Sequence, residues 1–401
     1  MRRLLLAAAT LAALAVSAPA ESVDVDSVTL GSMTERCDLV VVADAASFTT
    51  DAGGARTWTF RVVEALRPTT AAGEIRVELP GGPRAAASAD AVRSGAPHLL
   101  FLVASTGGAY RPIALPWGVR DAGDGAARPF VDYARRYAAA LGPDGAVAAP
   151  SELLALLVES LASAAGGIPA SAGRDLLRRQ DLVPRMTPAQ RQAVDAALAR
   201  PRKGDLDLAG IVDAAGVAGT AASDELLVAR LLDPATRHLR LNVTAALRRH
   251  ARPELVALLA APRPDATPVQ RADVVNALGR LELRDAAPHL VAALSDESSS
   301  VRVEAAHSLG LLARAVRAPK PGVDPEAPRE KLDDALRPLT EALAAAKSAS
   351  EKKAALWAMA QIDTDEAWTA LKALRDESAD ARVRELAGEV LLRPRVELIL
   401  E

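Results

Sequence analysis

The sequence predicts a multidomain chain: a small all-β barrel followed by an all-α helical repeat array. Three observations carry that prediction. Apolar residues recur with period two up to about residue 125, and with helical spacing from about residue 150 onward. A two-column residue pattern repeats through the second part. Aromatic residues are only 3% of the chain, and nine of the eleven lie at or before Tyr137. A small β core needs such side chains, whereas an array built from Ala and Leu does not.

Residues 1–20, MRRLLLAAATLAALAVSAPA, read as an export signal. Arg2 and Arg3 give the basic start, and Leu4 to Val16 give an apolar run of signal length, short for a membrane span. Ala18-Pro19-Ala20 is an A-x-A cleavage pattern, so the mature chain is expected to begin at Glu21. No later stretch is apolar for long enough to span a bilayer, and no cysteine follows the apolar run to carry a lipid. With 7 lysines among 48 basic residues and abundant alanine, the composition is that of a GC-rich bacterial protein. The expected location is therefore the periplasm or the exterior. Cys37 is the single cysteine, which excludes an intrachain disulfide framework and any multi-cysteine zinc site. It precedes the apolar run Leu39–Val42 and reads as a small buried residue.

Residues 22–125 form the expected β domain. A short helix at Leu30–Arg36 precedes a buried strand over Asp38–Ala46 that contains LVVVA. Arg56–Leu66 (RTWTFRVVEAL) places Trp58, Phe60 and Val62 on one face, and Glu74–Leu79 (EIRVEL) alternates Ile75, Val77 and Leu79 with charges. His98–Val103 is a second buried strand, and Ala109–Val119 a last, Pro-interrupted one. Gly53-Gly54, Pro80-Gly81-Gly82 and Gly107-Gly108 mark turns. Five strands of this kind suit a small closed barrel of OB type. Trp58 and Phe60 share their phase with Val62 and so belong to the core. Trp117, near the end of the domain, is placed to cover the barrel mouth.

The run CDLVVVADA, then TWTFRVVEALRP, IRVELPGG and SGAPHLLFL, resembles a domain of bacterial secreted proteins and, more distantly, the netrin/tissue-inhibitor-of-metalloproteinase (TIMP-like) OB fold. Those inhibitors act through an N-terminal cysteine that chelates the protease metal. Here the expected N-terminus is Glu21 and there is no cysteine pair, so that mechanism does not carry over.

Residues 126–149 form a connecting helix. In RPFVDYARRYAAALG, the residues Phe130, Val131, Ala134 and Tyr137 cluster on one side, suited to docking the barrel against the helical array.

Residues 150–401 hold the repeats. Leu247, Leu278, Leu309, Met359 and Leu391 occupy equivalent positions, each seven residues after a basic one: Arg240, Arg271, Arg302, Lys352 and Arg384. The spacings are 31, 31, 50 and 32 residues. Arg191 and Leu198 show the same seven-residue gap, 49 residues earlier. The 50-residue step contains a Pro- and charge-rich loop insertion at 315–331. The 49-residue step contains RPRKGD and the glycine-spaced AGIVDAAGVAGTAAS as its extra residues. Within the clearest unit, Val301, Ala305, Ser308, Leu309 and Leu312 share one helix face. Leu290, Val291 and Leu294 share a face on the helix before it. Asp233, Asp296 and Asp376 stand six to eight residues before basic positions, and are expected to form a ladder with them.

The stretch VVNALGRLELRDAAPHLVAALSDESSSVRVEAAHSLGLL resembles HEAT repeats, in particular the short subtype first described in bilin-lyase-like (PBS-lyase-like) proteins. The resemblance covers roughly 230–315 and 335–393 well and 150–230 loosely. It implies an α-solenoid, in which each helix pair buries its apolar stripe only by stacking on the next.

No catalytic, cofactor-binding or metal-ligating residue is nominated. His98, His238, His250, His289 and His307 form no H-x-x-x-H pair and are expected at the solvated surface. No nucleophile-elbow, Walker or dinucleotide-binding sequence stands in a fitting context. Asn242-Val243-Thr244 matches a glycosylation sequon but falls inside a predicted helix. A formal charge of −3 gives no general attraction to nucleic acid. The expected function is a non-enzymatic exported scaffold or adaptor that binds a protein partner. The alternatives are a lyase-like or enzyme-accessory role implied by the repeat subtype, and ligand or protease binding by the β domain. No cofactor is expected. Trp357 and Trp368, the two tryptophans of the array, either fill its last interfaces or mark where a partner docks.

Overall fold

The computed structural model describes residues 28–52, 55–79, 92–113, 119–123, 127–201, 204–318 and 331–392. The expected signal segment, Trp117, the turns at Gly53-Gly54 and Pro80-Gly81-Gly82, and most of the expected loop 315–331 lie outside the described residues. A small β barrel is followed by an all-α region, as the two periodicities predict. By contact the chain divides into two compact units, Met1–Leu182 and Val183–Glu401.

The first unit opens with helix α1 (Leu30–Arg36), started by a capping box in which Thr29 and Ser32 satisfy each other's backbone N–H. Its last carbonyls, of Thr34 and Glu35, accept from Arg67 Nη1 at 2.7 and 3.0 Å. Strands β1 (Leu39–Thr50), β2 (Arg56–Arg67), β3 (Glu74–Leu79), β4 (Pro97–Ala104) and β5 (Tyr110–Pro112) close into a barrel in the order β1-β2-β3-β5-β4-β1. The β3–β5 contact is parallel and the other pairings are antiparallel. A short strand β6 (Val119–Asp121) adds to β4. Of the single last strand expected over Ala109–Val119, the described residues show Tyr110–Pro112 as β5 and Val119 as the start of β6. Pro112, the last residue of β5, has no N–H to donate to a ladder.

The interior follows from period two. Leu39, Val41, Ala43 and Ala45 of β1 face Trp58, Phe60, Ile75, Val77, Leu79, Leu100 and Leu102 across the barrel core. The intervening Val40, Leu99 and Phe101 are buried as well, and α1 packs on β4. A strand buried on both faces reads as a continuous apolar run, which accounts for LVVV and LLFL. β1 runs four residues beyond the expected end at Ala46; residues 47–50 are exposed, and Phe48 is the one apolar side chain among them.

Helices α2 (Arg128–Ala139), α3 (Pro150–Ser160) and α4 (Ile168–Arg178) complete this unit. α2 packs on α1, β2, α3 and α4, and buries Tyr133, Ala134, Tyr137 and Ala138. Ala134 and Tyr137 are inside as expected, while Phe130 and Val131 are only half-buried. The stripe is turned toward Tyr133, whose hydroxyl finds an interior partner.

The second unit consists of α5 (Pro188–Ala199), α6 (Asp205–Ala218), α7 (Ala221–Leu232), α8 (Arg240–Arg249), α9 (Pro253–Ala260), α10 (Pro268–Arg280), α11 (Ala287–Ala293), α12 (Ser299–Arg317), α13 (Leu336–Ala345), α14 (Ala349–Ile362), α15 (Asp365–Glu377) and α16 (Ala381–Leu392). Alternate helices α6, α8, α10, α12, α14 and α16 stack in sequence, and α7, α9, α11, α13 and α15 each pack on the stacked helix that follows. The aligned residues Leu247, Leu278, Leu309 and Met359 are all buried in this stack, as are Ala246, Ala277, Ser308 and Ala358 just before them. Leu391, in the last helix, is half-buried.

Two expectations need correction. The glycine-spaced AGIVDAAGVAGTAAS is not extra chain. It forms most of α6, and α6 rather than the Arg191/Leu198 helix α5 stacks on α8. Its glycine serves close approach: a Cβ on Gly216 would stand 2.6 Å from Ala246 Cα. The expected loop start is also too early, since α12 continues through Arg317.

Candidate functional site

The densest polar cluster of the first unit surrounds Asp175, which α4 carries to a fully buried position. Its Oδ2 accepts from Gly31 N at 3.0 Å and from Tyr133 OH at 2.9 Å. Its Oδ1 accepts from Thr29 Oγ1 and, at 3.0 Å, from Arg178 Nη2. Arg178 Nη1 also pairs with Glu35 Oε2, while Tyr137 OH donates to Glu35 Oε1 at 2.5 Å. The rings of Tyr133 and Tyr137 stack with centroids 5.9 Å apart. One carboxylate therefore ties the start of α1 to α2 and α4.

Sequence reasoning missed this cluster because its members are separated by about 145 residues. The available signal was two tyrosines at i, i+4 and an Asp–Arg pair at i, i+3, on helices whose other inward residues are apolar. Burial raises the Asp175 carboxyl, opposed by Arg178 and the hydrogen bonds from Thr29 and Tyr133. Burial also pushes the Tyr133 and Tyr137 phenols well up, so both remain protonated donors. Glu35 is lowered: its own burial works upward, but Arg178 and the Tyr137 hydroxyl outweigh it. With Asp175 and the tyrosine rings enclosed, the arrangement fastens helices. A cleft of about 340 Å³ is lined by Tyr133 and Arg136 of α2 and by Leu156 and Glu159 of α3, with Arg136 and Glu159 paired at 2.8 Å.

In the second unit the basic column is engaged along the stack. Arg271 forks onto Asp296 through two bonds of 2.9 Å and reaches Glu297 at 3.0 Å. Arg302 closes its own turn by donating to the carbonyls of Asp296 and Glu297 at 2.7 and 2.9 Å, and crosses to Glu351 at 2.6 Å. Lys352 pairs with Asp380, and Arg384 donates to Ser378 O at 2.6 Å. Arg240 lies 3.9 Å from Asp273, which Arg237 bonds at 3.1 Å. Basic side chains thus reach acids or carbonyls of their own or a neighbouring repeat, with two reassignments: Asp233 accepts from Ala235 N and lies 4.0 Å from Arg230 while Arg240 turns to Asp273, and Asp376 sits inside α15 beside Arg375 while Asp380 takes its place. Glu351 is the best held of the acids. Burial works upward on its carboxyl, but hydrogen bonds from Ser299, the Lys347 N–H and Arg302 bring it down to about 2.

The surface reading of the histidines holds for His238, His289 and His307 and fails for two. His98 is fully buried: its Nδ1 lies 2.8 Å from Ala96 O, and its Nε2 accepts from Arg93 N at 3.3 Å. Strand β4 supplies a wholly apolar surrounding, and backbone groups satisfy the ring. His250 is largely enclosed, 3.0 Å from Asp224. Cys37 is buried, and that burial pushes its thiol up, away from nucleophilic use. Trp368 is buried and donates to Asp363 at 2.6 Å; Trp357 packs its ring over Gly310 with an edge contact to His307. Among the described residues no group of three or more His, Cys, Asp or Glu is arranged to hold a metal ion. Among them, too, no helix is long and apolar enough to cross a membrane.

No protein-family model matches the chain, and no curated protein matches it. Among the solved structures similar to it, two share 17% identity with this chain. One is human deoxyhypusine hydroxylase in complex with glycerol, covering 64% of this chain and 88% of that one with a TM-score of 0.27. The other is an engineered protein, covering 62% and 97% with a TM-score of 0.28. At such scores neither likeness bears on what this chain does.

Proposed function

We propose that the chain is an exported, non-enzymatic scaffold whose HEAT-type array binds a protein partner, with the OB-like barrel as its N-terminal module. The observation that carries this reading is the order of the second unit. Five helix pairs stack in sequence, the apolar column residue is buried in four of them, and basic and acidic side chains of the column bond within the same or a neighbouring repeat. Stacks of this kind present long helix faces suited to protein recognition. The interior polar groups of the first unit also bond to one another rather than converging on an open cavity.

The test uses the full chain, expressed with its signal, as bait for crosslinking and mass spectrometry in the native compartment. The reading expects the chain in the exported fraction with Glu21 at its N-terminus, and one partner crosslinked reproducibly to exposed residues of α6–α16. A chain retained inside the cell, a bound pigment in the absorbance spectrum, or crosslinks confined to the barrel would overturn it.

A further inference from the structure

Each stacked helix of the second unit turns one face toward the stacked helix that follows. Gly216 of α6 meets Ala246 of α8, Gly279 of α10 meets Ser308 of α12, and Gly310 of α12 meets Trp357 of α14. The residue four before each glycine shares its face, and Val212, Val275 and Ala306 are buried with them. In α14 the same two places are held by Leu356 and Ala360, both buried. α8 keeps Thr244 inside and turns Arg248 out to Glu282.

α16 has this face too, with nothing against it among the described residues. Counted from the column residue Leu391, its two places are Gly388 and Leu392. A Cβ on Gly388 would meet nothing within 4 Å, and Leu392 is 85% exposed. The charged column is unfinished at the same end. Arg271 crosses to Asp296, Arg302 to Glu351 and Lys352 to Asp380, each at the start of the following stacked helix. Arg384, one turn before Gly388, donates to Ser378 O in its own turn and meets no carboxylate among the described residues. The remaining charges of α16 are Glu385, paired with Arg382, and Glu389.

We propose that residues 393–401, RPRVELILE, lie back along α16 as an extended segment and close the end of the stack. Pro394 disfavours helical backbone at Arg393, so the chain leaves the helix where the open face ends. Extended, nine residues reach about 30 Å, whereas Leu392 and Arg384 are about 12 Å apart along the helix. The periods also match: two residues of strand advance about 6.6 Å and four residues of helix about 6.0 Å. Val396, Leu398 and Leu400 share one side of such a segment. With Val396 against Leu392, Leu398 falls over Gly388 and Leu400 on the stem of Arg384. Glu401, next along, supplies the carboxylate that Arg384 lacks. The stack then ends in a cap rather than in a surface on which a second array could continue.

The experiment is disulfide trapping in the full chain with oxidised glutathione. Gly388→Cys with Leu398→Cys is expected to close an intrachain bridge about tenfold faster than Gly388→Cys with Ile399→Cys, whose side chain faces away. Cys37 is buried and stays out of the reaction. In Leu398→Asp, which leaves the residues of α16 unchanged, the amides of Gly388 to Leu392 should exchange about fivefold faster as the last turn frays. Equal trapping rates for the two pairs, or unchanged exchange of the last turn, would overturn the proposal. So would bridges that form mainly between chains, which would give the face to a second copy.

Discussion

Replacing Asp175 by alanine and by asparagine separates what its charge does from what its shape does. Alanine removes the acceptor of four donors at once: Thr29 Oγ1, Gly31 N, Tyr133 OH and Arg178 Nη2. The two hydroxyls can rotate, but the Gly31 N–H and the guanidinium cannot accept. Leaving a buried donor unmet costs about 1–3 kcal/mol, and breaking a buried ion pair about 3–5 kcal/mol. Arg178 is 35% exposed and keeps Glu35, so its share lies at the low end. About 3–4 kcal/mol is expected for Asp175→Ala. In Asp175→Asn the amide oxygen takes the Oδ2 position and still accepts from Gly31 and Tyr133. The amide nitrogen takes the Oδ1 position, where Thr29 turns to accept and the Arg178 bond is lost. About 1–2 kcal/mol is expected. Amide hydrogen exchange of α1 and α4 in the full chain reads both, at about 1.4 kcal/mol per tenfold. Opening should accelerate about tenfold in the asparagine variant and more than a hundredfold in the alanine variant. Equal effects, or less than tenfold for alanine, would refute the clamp.

Four further outcomes are expected. Gln361 is 1% exposed, with neither amide atom partnered among the described residues, so Gln361→Met should stabilise the second unit by about 1–2 kcal/mol in urea unfolding. Gly310→Ala would drive a methyl into the Trp357 ring, 3.2 Å from Ala358 Cα; it should destabilise by about 1–3 kcal/mol despite the gain in helix propensity, and shift the tryptophan emission. Glu351, held at about 2 against an ordinary 4.5, contributes stability that is present above pH 4.5 and lost as pH falls toward 2. The melting temperature of Glu351→Gln should therefore trail the parent at pH 7 and converge with it near pH 2. For the Asp224–His250 pair, the raised carboxyl alone favours the folded state as pH falls from about 6 toward 3.8, and the depressed imidazole alone disfavours it as pH falls from 6.5 toward 4. Together they nearly cancel, so His250→Gln should lose stability as pH rises through 4–6 and Asp224→Asn as pH falls through 6.5–4, slopes of opposite sign in thermal melts.

Legibility in the sequence followed the range of the interaction. The α1 boundaries, the barrel strands and the Leu247–Leu278–Leu309–Met359 column are local patterns, and periodicity displays them directly. α6 was hidden because nearly all of it is buried: Leu208 to Gly216 face neighbours all round, so it has no polar stripe to betray a helix. Gly216, read as part of an extra segment, is a contact residue. The Asp175 cluster was hidden for a different reason. Thr29, Tyr133 and Asp175 carry no meaning until the fold brings α1, α2 and α4 together, and each alone is ordinary. His98 was misplaced because the polarity of the residue was weighed above its strand, where Leu99 to Leu102 leave no exposed face.

The two hidden features point to one physical division of labour. Contacts between Ala and Leu faces are nearly degenerate, since a stacked helix displaced by one turn meets much the same surface. Carboxylates and guanidinium groups are not degenerate. Arg271 meets Asp296, and Arg302 meets Glu351, only in one register, and Asp224 and Asp273 would be stranded without partners in any other. A buried ion pair adds little net stability over an apolar pair, while an unpaired buried charge costs several kcal/mol. The apolar columns therefore supply the stabilisation of the stack, and the charged pairs select which stack forms. The same division holds in the first unit, where Ala134 and Leu176 bury surface and Asp175 fixes how α1 meets α2 and α4.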